Sequence, residues 1–242
     1  MYNDFANIYD ELFPISEAQK TFFLELVERT ASPKNLLDIG CGTGELAIAL
    51  DPHHNYIAAI DLDASMIGKA TLKQHSKHLD FKQMNMKHID NVFFNHSFSI
   101  ISCLGNTLPH LTSTLEIQMF INSCHVLLRK KGTLILQLMN YDKILSENIT
   151  TLANIETINY LFERQYEIRN EEKVIFRTIV TNKKTKEEKV SETTLYPIRK
   201  EKLVQILSDC GFENIITYGS FKKDDFTTSS DVLIIEATTK LN

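Results

Sequence analysis

Four short patterns in this chain carry side chains able to do chemistry. The first is Asp38-Ile39-Gly40-Cys41-Gly42-Thr43-Gly44, preceded by two leucines and followed by Glu45-Leu46-Ala47-Ile48-Ala49-Leu50. An apolar run feeding a glycine-rich turn and then a helical pattern predicts a strand–loop–helix unit that holds a nucleotide-like ligand against bare backbone. A dinucleotide fingerprint, Gly-x-Gly-x-x-Gly, needs its third glycine at position 45, where this chain has Glu45. Asp38 suits a ligand with a cationic amino group better than it suits a pyrophosphate. The second pattern is Asp61, closing the run Tyr56-Ile57-Ala58-Ala59-Ile60. A carboxylate at the end of a second strand can accept both hydroxyls of a ribose. Asp63 and Ser65 fit the cap of a helix starting near Met66. For Leu62 and Met66 two readings stand: apolar cover for an adenine ring, or core.

The third pattern is Phe98-Ser99-Ile100-Ile101-Ser102-Cys103-Leu104-Gly105-Asn106-Thr107-Leu108-Pro109-His110-Leu111, an apolar strand that breaks at a glycine. It leaves Asn106 and His110 just past the C-terminal end of a sheet, where open α/β sheets bind ligands. By its residues alone His110 reads as a local cap or packing group. The fourth pattern, Leu138-Met139-Asn140-Tyr141-Asp142-Lys143-Ile144-Leu145, follows the fifth apolar run.

The glycine loop with Asp38 resembles the signature of class I S-adenosylmethionine-dependent methyltransferases. The resemblance implies S-adenosylmethionine as methyl donor and S-adenosylhomocysteine as product. It implies a donor site at Asp38, Gly40, Cys41, Gly42, Asp61, Leu62, Met66, Asn85, Met86, Cys103, Leu104 and Gly105. Asn85 departs from the family's usual Asp at the end of the third strand, but its amide oxygen can still accept from an adenine amine. Residues 103–111 are similar to the fourth-strand motif of glycine and glycine/sarcosine N-methyltransferases, which implies Asn106 and His110 around the acceptor amine. Asn140-Tyr141-Asp142 is similar to the same branch and adds Tyr141 as a third catalytic candidate. That branch keeps an arginine immediately before this triplet to hold the acceptor carboxylate, and this chain has Met139. A thioether cannot make that contact. An acceptor other than glycine is therefore expected, a larger amine or a neutral nucleophile, unless Arg164, Arg169 or Arg177 replaces the missing guanidinium. The N-terminal Tyr2-Asn3-Asp4-Phe5-Ala6-Asn7-Ile8-Tyr9-Asp10 resembles the lids of small-molecule methyltransferases. Tyr9 then either reaches the methyl donor or packs on the core with Phe5 and Ile8.

Positioning these groups takes a parallel sheet. Apolar runs at 35–39, 56–60, 79–84, 98–103 and 133–139 alternate with helical segments at 17–31 and 114–128. The basic triplet Arg129-Lys130-Lys131, followed by Gly132, reads as the C-terminus of the second of these helices. From 158 to 197 the rhythm changes to three β-rich runs, 158–169, 173–181 and 189–197, separated by turn residues. A helix at 199–210 and strands at 212–219 and 232–238 complete the chain. The expected fold is α/β, a Rossmann-like class I methyltransferase fold. Its mostly parallel seven-stranded sheet runs in order 3-2-1-4-5-7-6 with the last strand antiparallel, beside a small antiparallel β cap. Residues 1–150 and 198–242 form the expected donor-binding core, and 151–197 an inserted cap for the acceptor.

Composition narrows the setting. In 242 residues with 43% apolar content, one substantial α/β core can be buried. The net charge of −5 disfavours a dedicated nucleic-acid surface. Four scattered cysteines without a Cys-x-x-Cys pair fit reduced thiols in the cytoplasm. Asp4, Asp10 and Glu11 speak against a signal peptide, and no apolar run is long enough to span a membrane. His53, His54, His75, His78 and His88 have no acidic or cysteine partner at ligand spacing, so no metal site is expected. The expected activity is methyl transfer to a small-molecule acceptor, most naturally at nitrogen. An RNA or tRNA methyltransferase is the first alternative, disfavoured by the charge balance and by Cys103-Leu104-Gly105-Asn106 where base-amine methylases carry Asn/Asp-Pro-Pro-Tyr/Phe. A catalytically silent S-adenosylmethionine-binding protein is the second. Oligomeric state is not legible.

Overall fold

Apolar runs too short for helices become the central strands of a computed structural model that describes residues 5–240. Tyr2, Asn3 and Asp4 of the N-terminal motif lie outside those residues. In chain order, α1 (Phe5–Leu12) and α2 (Glu17–Arg29) precede β1 (Asn35–Ile39), α3 (Glu45–Leu50) and β2 (Tyr56–Asp61). Then come α4 (Ala64–Lys73), β3 (Leu79–Gln83), β4 (Phe98–Cys103), α5 (Thr114–Leu127), β5 (Leu128–Met139) and α6 (Tyr141–Ser146). The insertion holds β6 (Thr151–Glu156), β7 (Tyr160–Asn170), β8 (Lys173–Asn182) and β9 (Glu188–Leu195). The chain closes with α7 (Lys200–Asp209), β10 (Phe212–Tyr218) and β11 (Val232–Thr239).

Seven strands join in the order β10-β11-β5-β4-β1-β2-β3. Counted within this sheet, that is the predicted 3-2-1-4-5-7-6. β11 runs antiparallel to β5 and β10, and the other pairings are parallel. Parallel strands covered on both faces read as near-continuous apolar runs; every residue of β4 is buried, and its two serines each have a hydrogen-bond partner. One cover is α5, whose Ile117, Phe120, Ile121, Cys124 and Leu127 form a buried stripe at helical spacing. Each such large side chain contributes about 1.5–3 kcal/mol on burial. Side-chain caps fix where helices begin: Ser16 for α2, Ser113 for α5 and Asn140 for α6. Asp63 caps α4 as expected, and Ser65 donates its hydroxyl to that same carboxylate. Among the described residues no helix is long and apolar enough to cross a membrane.

The 129–132 segment corrects the sequence reading. α5 ends at Leu127 with an extended Leu128, and Arg129 to Gly132 already belong to β5. The left-handed residue is Lys131 at φ 59°, not Gly132. The physical reason is strand pairing: Leu128 sits opposite Phe98, and a register shift follows before Thr133 meets Ile100. Arg129 donates to the Pro33 carbonyl at 3.0 Å, which ties the segment to the foot of β1.

The insertion forms a second antiparallel sheet in the order β6-β7-β8-β9. Its first strand escaped the sequence reading because β6 is an edge strand with mostly exposed side chains and an irregular register. The two sheets share buried contacts. Tyr166, Val174 and Leu195 belong to the same cluster as Leu138, Tyr141 and Ile144, and the Tyr196 amide donates to the Pro109 carbonyl at 2.8 Å.

Gly44 starts α3 at φ 81°, and a Cβ there would lie 2.5 Å from the Phe81 ring. Strained backbone and overpacking act together at this position. Gly44→Ala is expected to lower unfolding free energy by about 2–3 kcal/mol, measured by urea denaturation; a variant as stable as the parent contradicts this account of the loop.

Candidate active site

The loop after β1 is held by its own backbone. The Ile60 carbonyl accepts from both the Gly40 and Cys41 amides, at 2.8 and 3.0 Å. The Gly42 amide donates to Asp61 Oδ2 at 2.8 Å and the Asp63 amide to Oδ1 at 2.9 Å. Each carboxylate oxygen keeps a further lone pair for another donor. Asp38 is buried, accepts from the Ser102 hydroxyl at 2.7 Å, and has its carboxyl pushed up to about 6 by burial. Burial also raises Asp61. Two desolvated carboxylates with no basic partner among the described residues make a site for positive charge and hydroxyl donors.

Beside them opens a cavity of about 1270 Å³. Its floor is Asp38, Gly40, Cys41, Leu104, Gly105 and Asn106, with His110, Gln137 and Met139 alongside. Its other walls come from α1 and from the inner face of the second sheet, including Phe162, Arg164, Tyr166 and Phe176.

α1 is strapped over the glycine loop. The Thr43 hydroxyl donates to Asp10, and Lys73 pairs with both Asp10 and Glu45. This lays the Tyr9 ring on Gly42, where a Cβ would meet it at 3.0 Å. Burial, with Asp61 next in weight, raises the Tyr9 phenol to about 12, so it stays protonated and can donate. Tyr9 also packs edgewise on Phe5, their ring centroids 5.8 Å apart. It therefore lines the cavity and packs within α1 at once.

Asn106 sits at φ 63° just past Gly105, a left-handed conformation that asparagine tolerates. Its Oδ1 accepts from the Met139 amide at 3.0 Å and its Nδ2 donates to Tyr141 Oη at 3.1 Å. Tyr141 in turn packs against Tyr166, their ring centroids 6.5 Å apart. The Tyr141 side chain is buried and does not line the cavity, whereas Tyr166 does. His110 opens onto the cavity, and the protein atoms around it lower its pKa, favouring neutral imidazole.

The structure thus gathers Tyr9, Asp38, Gly40, Cys41, Leu104, Gly105, Asn106 and His110 on one cavity. Asp61, Leu62, Met66, Asn85 and Met86 lie off it, by the ends of β2 and β3. Leu62 is exposed and Met66 buried. Asn85 spends one lone pair on the Lys87 amide at 3.0 Å. Cys103 is fully buried in the core cluster. Burial raises the thiols of Cys41 and Cys103, which keeps both neutral. Gln137 and Tyr166 were missed by sequence reasoning. Gln137 Oε1 accepts from the Gly105 amide at 2.7 Å and fixes the loop after β4. The available signal for Tyr166 was the alternation of Phe162, Arg164 and Tyr166 along one strand.

Residues 36–132 match the family described as methyltransferase domain. The glycine/sarcosine N-methyltransferase of Aphanothece halophytica is 26% identical over 229 residues, covering 90% of this chain and 82% of its own length. A Clostridium acetobutylicum structure described as an S-adenosylmethionine-dependent methyltransferase superposes with a TM-score of 0.80 at 17% identity, covering 99% of both chains. The sugar N-methyltransferase KedS8 of Streptoalloteichus superposes at 0.72 with 18% identity, covering 99% of this chain and 93% of its own. Residues 36–132 carry a methyltransferase domain, and with the loop and the sheet these matches indicate an S-adenosylmethionine-dependent methyltransferase of class I fold.

Two outcomes are expected for the donor site. Asp61→Ala removes the carboxylate that ties the loop and that we propose receives a ribose, and should weaken S-adenosylhomocysteine at least about tenfold, as for a charge-assisted contact of about 1.5–3 kcal/mol. Unchanged affinity by calorimetry contradicts it. Asp38 supplies the second. Its folded pKa, about 6, lies above the usual carboxylate value, so the folded chain binds this proton more tightly than the unfolded chain. Ionised Asp38 therefore costs stability above pH 6, and the cost disappears as pH falls toward the unfolded value. A ligand ammonium needs the ionised form. Affinity for S-adenosylhomocysteine should be full above about pH 7 and fall as pH drops through about 6, and Asp38→Asn should flatten that profile while weakening binding. Calorimetry showing a level parent profile from about pH 5 to 7.5 sinks the assignment.

Proposed function

We propose that this enzyme methylates an amine nitrogen of a small molecule, with 151–197 as the acceptor cap on a donor-binding core of 1–150 and 198–242. The observation that carries this reading is one cavity shared by Asp38 and Gly40, by Asn106 and His110, and by the aromatic inner face of the second sheet. Similarity to a glycine/sarcosine N-methyltransferase and to a sugar N-methyltransferase supports nitrogen as the acceptor atom.

The residues present fit the donor. Asp38 is a buried carboxylate for an ammonium, Asp61 keeps acceptor capacity for ribose hydroxyls, and Asn85 and Met86 stand at the end of β3 for the adenine side. When bound, the sulfonium supplies a methyl group already activated for displacement. What the protein adds is position. Asn106, pinned by the Met139 amide and the Tyr141 hydroxyl, orients the acceptor nitrogen. Neutral His110 can take the proton that an ammonium acceptor must lose before its lone pair is usable. Tyr166 and Phe176 exclude water above the reacting atoms. Met139 and the aromatic wall supply apolar contact, as in most small-molecule sites. Four unbridged cysteines suit a reducing compartment, which favours the cytoplasm.

The test is a screen of purified protein with labelled S-adenosylmethionine against separate pools of amines, acids and phenols. Label should enter the amine pool; transfer confined to another pool, or to none, refutes the reading. With the acceptor found, Asn106→Ala should lower kcat by about tenfold to a hundredfold through lost orientation, and leave S-adenosylhomocysteine affinity unchanged. A variant with parental kcat removes Asn106 from the mechanism.

A further inference from the structure

The cap carries a guanidinium that the proposed chemistry leaves unused. β7 alternates, so Phe162, Arg164 and Tyr166 face the cavity while Glu163, Gln165 and Glu167 take the other face. Arg164 stands opposite Leu152 on β6 and Thr178 on β8, neither of them acidic. Its Nη2 donates to the Ala153 carbonyl at 2.6 Å, which sets the plane of the fork. Its Nε is buried and has no partner. A buried N–H without an acceptor is a cost that a ligand oxygen removes.

The other arginines of the cap do not share this state. Arg169 pairs with Glu167 at 2.8 Å, and Arg177, on the opposite face, pairs with Glu192 at 3.7 Å. Lys189, also on the cavity wall, has a partner of its own. Arg164 has no carboxylate among the described residues, and burial lowers its pKa without bringing it near neutrality in kind: a guanidinium stays charged. A permanent cation set in a wall of Phe162, Tyr166 and Phe176 is a receptor for an anion that the free protein does not supply.

We propose that Arg164 reads a carboxylate on the acceptor, so that the substrate is an amine that also carries a carboxylate. This rests on the cavity being the acceptor site. The guanidinium missing before Asn140 is then replaced from the cap, across the cavity rather than from the end of β5. Moving the anion contact changes the span between carboxylate and reacting amine, so the conclusion that glycine itself is disfavoured is kept while the expectation of a neutral acceptor is revised.

Binding tests this apart from catalysis. Protein saturated with S-adenosylhomocysteine is titrated with butyrate and with butyramide, matched in shape and differing in charge, by ligand-detected NMR. Butyrate should bind at least about tenfold tighter than butyramide. Arg164→Met should erase that difference, Arg164→Lys should keep part of it, and Arg177→Met should keep all of it. S-adenosylhomocysteine affinity of each variant, measured by calorimetry, should match the parent and so reports folding. Equal binding of the two probes, absence of butyrate binding, or a butyrate preference surviving Arg164→Met in a variant with parental donor affinity overturns the proposal. Failure of the amine screen alongside a butyrate preference that depends on Arg164 would count against nitrogen methylation and leave the anion site standing.

Discussion

Everything at the site depends on how the backbone after β1 is tied to the end of β2. One carbonyl, that of Ile60, receives two consecutive amides, and Asp61 receives a third from Gly42. Three glycines within five residues supply the positive φ angles that let the chain make those bonds and then enter α3. The result presents bare backbone and Asp38 at the crevice between β1 and β4, where strand order reverses, with Asp61 beside the loop at the end of β2. Asp38 is held on the β4 side of that crevice by Ser102, and Asp61 on the β2 side by the loop itself.

Electrostatics then divides the cavity. The floor holds Asp38, a carboxylate that burial has made reluctant to ionise, and the roof holds one guanidinium among aromatic rings. Between them His110 is kept neutral and Asn106 is fixed by backbone and phenol partners. On the proposal that Arg164 reads a carboxylate, an acceptor that satisfies the roof and presents a lone pair below it is zwitterionic in solution and sheds a proton inside.

α1 joins the two halves. Asp10 reaches Thr43 and Lys73 beside the glycine loop, while Phe5, and Phe13 just past the helix end, pack on Phe162 of β7 with ring centroids 6.0 and 5.4 Å apart. Asn159 of the cap adds a donated bond to Glu11 at 3.2 Å. Closing over the glycine loop and closing under the cap are in this way the work of a single short helix, with Tyr9 at the contact.

By itself the sequence determined the elements whose signals are local. Glycine spacing, an acidic residue at the end of an apolar run, and the period of the central strands all depend on neighbours in the chain. They located the loop, Asp38, Asp61, Asn106 and the strand segments of the main sheet, while the order of those strands was implied by the family resemblance. Only the tertiary structure decided which side chains meet across elements. Met139 marked a missing guanidinium, but choosing Arg164 over Arg169 and Arg177 required knowing which face of β7 and β8 turns inward, and alternation alone leaves that face undefined. Tyr141 carries the local pattern of a site residue, yet packing hides it behind Asn106 and brings Tyr166 to the surface of the cavity instead. The edge strand β6, with its mostly exposed side chains, and the pairing of Leu128 with Phe98 left no periodic trace either. Burial and pairing partners are properties of the assembled sheets, and a single chain's pattern does not encode them residue by residue.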